Sequence, residues 1–109
     1  MRTQLVVADY LKARGWPHAT PAGSGRAGVD VLNTPDIAVE VKARREFNPG
    51  AYLRQAEGVA DGRHPFAVLR LDGQGDTDPG QYVVLTRLEE HVRLLHAAGY
   101  GDPTTKETP

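Results

Sequence analysis

Apolar positions change their spacing along this chain, and each change marks an element. In residues 5–14, Val6, Tyr10 and Ala13 recur at three- and four-residue spacing, which predicts a helix closed by Gly15 in a left-handed turn. Trp16 then starts a short extended piece. Pro21, Gly23, Gly25 and Gly28 leave residues 21–28 too much backbone freedom for a regular element, so a loop is expected there, leading into a strand at residues 29–32. From Ile37 the period becomes two: Ile37, Val39, Val41 and Ala43 share one face of a strand, Glu40 and Lys42 the other. Asn48 as N-cap and Pro49 at the first helical position open a helix with Tyr52, Ala56 and Val59 on one side, stopped by Asp61-Gly62. Residues 66–71, apolar apart from Arg70, and residues 82–85 read as two strands around a long polar turn where flexibility should concentrate. Thr86-x-x-Glu89 is a capping box for a last helix with Leu88, Val92 and Leu95 inward and Gly99 beyond its final turn.

The predicted order is α-β-β-β-α-β-β-α: an α/β fold of the α+β type, with a mixed central sheet flanked by helices and a right-handed crossover through residues 49–62. Residues 1–102 form a single domain, and residues 103–109 a frayed tail. Gly23-x-Gly25-x-x-Gly28 does not redirect this reading to a dinucleotide fold, because it precedes a strand where the fingerprint should open a helix.

A hairpin folding residues 29–32 against 37–43, with Asn33-Thr34-Pro35 at the bend, brings the Asp30 carboxylate close to that of Glu40. Two carboxylates from separate strands suit a hard divalent cation such as Mg2+, which shares its shell with water and phosphate. A lysine two residues from the second acid can hydrogen-bond an attacking water and offset charge building on phosphoryl oxygen. Phosphodiester hydrolysis is the expected chemistry.

Composition narrows the alternatives. A chain of 109 residues with 39% hydrophobic content is one globular domain with a modest core. The absence of cysteine removes disulfide, thiolate-nucleophile and cysteine-zinc readings together. No long apolar block supports a signal peptide or membrane span, so no membrane partner is expected and a cytoplasmic location is the default. A net charge of -1 gives DNA binding no global support, but Arg26, Lys42, Arg44 and Arg45 flank the acids where a phosphate backbone must approach, while Asp72, Asp76, Asp78, Glu89 and Glu90 lie elsewhere.

The ordered set formed by Asp30 and Glu40-x-Lys42 is preceded by Lys12-Ala13-Arg14-Gly15-Trp16, Pro17-His18 and Ala22-Gly23-Ser24-Gly25-Arg26. Tyr82-Val83-Val84-Leu85 and Leu94-Leu95-His96-Ala97-Ala98-Gly99-Tyr100 follow it. Over roughly residues 3 to 101 the chain resembles the PD-(D/E)xK nuclease superfamily, in particular archaeal-type Holliday junction resolvases and small resolvase-like endonucleases of actinobacteria and their phages. The resemblance implies a restriction-endonuclease-like core and an endonuclease using Mg2+, with Mn2+ able to substitute. Asp30, Glu40 and the Val41 carbonyl would hold the metal, Lys42 would position the attacking water, and Gln55 would touch that water or a backbone phosphate. Ser24 and Arg26, in a loop near scissile DNA, and Arg44 and Arg45 would contact the nucleic acid. Symmetric cutting of branched DNA would require a homodimer. The chain departs from the resolvase pattern where a metal-binding glutamate is common near the start of the first helix: Thr3 and Gln4 stand there, and Asp9 is expected to face solvent. His18 is expected at the surface and Asp36 in the turn. The alternatives are a nicking or repair nuclease on nonbranched DNA, a noncatalytic nucleic-acid-binding module, and a structural interaction protein.

Overall fold

The computed structural model of the protein describes residues 2–23, 28–43 and 48–102. The elements follow the expected order: α1 (Arg2–Lys12), β1 (Thr20–Pro21), β2 (Val31–Leu32), β3 (Ile37–Lys42), α2 (Pro49–Gly58), β4 (His64–Leu69), a 3-10 turn (Pro79–Gln81), β5 (Val83–Leu85) and α3 (Leu88–Ala97). Strands β3 and β4 run parallel, from Ile37 opposite His64 to Lys42 opposite Leu69. Strand β5 is antiparallel to β4, with Val84 opposite Val68. A parallel pair needs a long crossover, and α2 provides it. Asn48 Oδ1 accepts the Ala51 N–H at 3.3 Å, and Pro49 occupies a position where its missing N–H costs nothing.

A helix lies on each face of the sheet. On one, Val39, Val41 and Val68 pack with Val7, Ala8, Ala19, Val31 and Tyr82 in a core closed by α1. On the other, Ala67 and Leu69 pack against Tyr52 of α2, with Leu85 alongside. The buried residues of α1 are Thr3, Val7 and Ala8, with the expected Val6 partly buried against the same core. Of the other expected positions, Ala13 is exposed beyond the helix end, and Tyr10 is half-buried with the Arg14 guanidinium over its ring, 3.8 Å from the centroid.

Three expectations are corrected. Residues 31–32 pair antiparallel with β1, Thr20 opposite Leu32, and the meeting with β3 is carried by Asp30, whose N–H donates to the Val39 carbonyl at 3.0 Å. In the turn before β5, Tyr82 Oη donates to the Gly75 carbonyl at 2.9 Å, and Arg70 reaches the Gln74 carbonyl at 2.8 Å, Asp76 at 2.6 Å and Thr3 of α1 at 3.3 Å. Helix α3 buries none of its residues: Leu88 is 76% exposed, and Thr86 forms no cap, its buried Oγ1 lacking a partner among the described residues. The short β5 leaves little sheet beneath α3, which is tied down instead by Arg87 to Glu57 at 2.9 and 3.0 Å and by His64 Nδ1 to Glu90 at 2.8 Å. Among the described residues no helix is long and apolar enough to cross a membrane.

Candidate active site

Strand β3 builds the site through its main chain as much as its side chains. In an extended strand a residue's N–H and C=O leave on the same side, so Val39 and Val41 face β2, whereas Lys42 faces β4 and accepts the Arg70 N–H at 2.9 Å. Asp30 fills the β2 side. Its own N–H goes to Val39, and its Oδ2 accepts the Val41 N–H at 2.8 Å. A side-chain carboxylate thus stands where a ladder carbonyl would stand in a continued hairpin. The Val41 carbonyl leaves along the same edge, toward the Asp30 side.

Glu40 and Lys42 emerge on the α2 face. Residues i and i+2 share a strand face, and these two side chains are long enough to meet: Lys42 Nζ lies 2.9 Å from Glu40 Oε2. Glu40 is only 5% exposed. Burial raises its pKa above the ordinary carboxylate range, and the Asp30 carboxylate raises it further through both charge and a hydrogen bond, while Lys42 pulls it down. Glu40 thus lies beside both the Asp30 carboxylate and the Lys42 ammonium. Tyr52 of α2 covers this corner, its ring centroid 5.6 Å from Lys42 Nζ.

Among the described residues Lys42 is the cation paired with these two carboxylates, which leaves the trio with a net negative charge that a divalent cation would offset. The oxygens offered are the Asp30 carboxylate just before β2, the Glu40 carboxylate on β3 and a main-chain carbonyl on the same edge, a hard donor set of the kind that suits Mg2+ or Mn2+. Among the described residues no three His, Cys, Asp or Glu side chains form a metal-holding group, so the donor set rests on two acids and the main chain.

Asp30, Glu40 and Lys42 come together without the expected hairpin ladder, Asp30 through the Val41 N–H and Lys42 through Glu40. Gln55 does not join them: it lies exposed on α2, without a hydrogen bond to the trio, while Tyr52, Leu53 and Ala56 take the inner side. Ser24, Arg26, Arg44 and Arg45, like the expected tail at 103–109, lie outside the described residues. Asp9 is exposed beside Lys12 at 3.9 Å, His18 is exposed in a turn, and Asp36 sits in the bend with φ +72. Tyr52 is the member that sequence reasoning missed as part of the site. Its periodicity marks it as a core residue, and nothing in that pattern tells that the core face it covers carries Lys42. No family model, curated protein or solved structure matches this chain.

Proposed function

We propose that this protein is a divalent-metal-dependent endonuclease of the PD-(D/E)xK type, hydrolysing DNA phosphodiesters with a resolvase-like preference for branched DNA. The observation that carries the reading is the convergence of Asp30 and Glu40 beside the Lys42 ammonium, with Asp30 fixed by the Val41 N–H. A purely structural ion pair needs one acid; a second one pressed against it raises the cost of the site and calls for a cation.

Asp30 and Glu40, with the Val41 carbonyl, would hold Mg2+ or Mn2+. When bound, the metal would supply Lewis-acid stabilisation of phosphoryl oxygen and make water a better nucleophile at neutral pH. Asp30 is oriented before substrate arrives, because one of its oxygens already accepts the Val41 N–H. Lys42 keeps one N–H on Glu40 and has two more donors, which hold the attacking water and meet charge as it develops on phosphoryl oxygen. Burial of Glu40 and the Tyr52 ring over Lys42 limit water around the ammonium and strengthen its field. Water adds to phosphorus as the bond to the leaving sugar oxygen breaks.

Cutting opposing strands symmetrically would take two copies of the chain. Cleavage of a four-way junction, a flap and a plain duplex of matched sequence in Mg2+ tests the proposal. Cutting should require the metal and favour the branched substrates; equal cleavage in chelator overturns the mechanism, and equal rates on all three substrates overturn the preference.

A further inference from the structure

A second surface feature lies at the bend that joins β2 to β3. Trp16, Pro17, His18, Asn33, Pro35 and Asp36 line a groove of about 870 Å³ at the bend between β2 and β3. Trp16 Nε1 donates to the Pro35 carbonyl at 3.1 Å, which fixes the indole and spends its only polar group, so what the ring offers the groove is surface. The Asn33 amide, Asp36 carboxylate and His18 imidazole make no hydrogen bond or ion pair among the described residues. Asn33 and Asp36 have φ of +62 and +72, two of the three non-glycine residues in the left-handed region among the described residues. Asn and Asp are the residue types that tolerate this conformation, as the tight bend requires.

We propose that this groove receives an unpaired nucleobase of the DNA strand being cut, an inference that rests on the nuclease reading. The parts fit a base better than the other components of DNA. A fixed aromatic ring is a stacking plate for any base. An amide and a carboxylate beside it match the mixed donors and acceptors of a base edge, including exocyclic amino groups, whereas the Asp36 charge repels phosphate. The position fits as well. Asp30 and Asn33 flank the short β2, so the groove and the acids lie at its two ends. The captured base would therefore lie near the phosphate at Asp30 and Glu40. A paired base presents neither its face nor its pairing edge, so the groove selects DNA whose bases are unpaired near the cut, as at a branch or flap.

Trp16 is the single tryptophan of the chain, so its emission reports on the groove directly. The full chain is titrated in Ca2+ with a short single-stranded DNA, the same strand carrying abasic sites, its blunt duplex and a proline-rich peptide. Single-stranded DNA should quench Trp16, and the abasic strand and duplex should not. Asn33→Gly and Asp36→Gly suit the left-handed backbone while removing the polar groups, and each should weaken half-saturation about tenfold, in the range of one lost base contact. Equal quenching by the abasic strand or the duplex overturns the proposal, and quenching by the peptide alone assigns the groove to protein partners and overturns it too. Parallel cleavage assays in Mg2+ separate the two readings. Cleavage without base-dependent quenching rejects the groove and keeps the nuclease; base-dependent quenching without cleavage keeps the groove as a base site and rejects the nuclease.

Discussion

Removing the ammonium at Lys42 tests the electrostatics of the site through stability as well as rate. The Lys42 and Glu40 side chains are 14% and 6% exposed, so Lys42→Ala leaves a buried carboxylate facing Asp30 without its cation partner among the described residues. Breaking a buried pair by removing one partner costs about 3–5 kcal/mol, and the slight exposure of Lys42 puts this case near the lower figure. With an unfolding entropy of about 2.1 cal/mol/K per residue, a loss of about 3 kcal/mol over 109 residues lowers the melting midpoint by about 13 °C. The pH dependence has a defined sign. Glu40 has a native pKa raised above the usual 4.5, so the native state holds the proton more tightly than the unfolded chain does. Ionisation then costs stability as pH rises through the native value, and the cost is absent well below 4.5. Without Lys42 the native value rises further. The gap between wild type and variant should therefore be widest at neutral pH and close as pH falls below 4.5. A bound divalent cation replaces the lost charge and should recover about 2.7 kcal/mol at a hundredfold excess over its dissociation constant. Thermal and urea unfolding at several pH values, in chelator and in Mg2+, measures all three effects. A variant with the wild-type midpoint at pH 7, or a gap that widens on acidification, refutes the account of Glu40.

Cleavage by Lys42→Ala in single turnover at saturating DNA, well below its melting midpoint, should fall about 100- to 1,000-fold, and an unchanged rate makes Lys42 a binding residue. Asp30→Asn and Glu40→Gln should each abolish cleavage and stay folded, with Glu40→Gln melting no lower than wild type because it removes a penalised charge; full activity in both overturns the two-acid site. Ca2+ should support DNA binding while cutting far more slowly than Mg2+ or Mn2+, and equal rates would remove the metal from the chemistry. Glu90, held down to about 2 by Arg93 and then by His64, contributes stability above pH 4.5 that is lost as pH falls toward 2. Amide exchange in α3 should accelerate in that window before exchange in β3 does, and simultaneous loss of protection would show that α3 is not a separately anchored unit.

Local alternation placed Glu40 and Lys42 on one strand face. Val39, Glu40, Val41 and Lys42 assign themselves to opposite faces through the period of two alone, and the helix after them is announced by Asn48 and Pro49. What escaped the sequence depends on tertiary neighbours. Leu88, Val92 and Leu95 have inward spacing, but the pattern cannot tell that a three-residue β5 leaves α3 so little to cover. Thr86 and Glu89 have capping-box spacing, yet the helix starts one residue later, after Arg87, whose side chain is committed to Glu57. Residues 29–32 have the length and pattern of a β3 partner, and pairing with β1 won because Thr20 and Pro21 approach from the other side.

The bond from Val41 N–H to the Asp30 carboxylate makes one main-chain amide a reporter of the whole site. Cation loading draws electron density from that carboxylate, so the Val41 resonance should shift on metal titration even when no substrate is present. Its solvent exchange should slow as the acid is fixed in place. A change of one residue in the length of the 33–36 bend would move Asp30 out of line with Val41, and the signal would disappear together with the site. Spectroscopy on a single backbone position can therefore separate a chain that has lost its fold from one that has kept its fold and lost its alignment of acids.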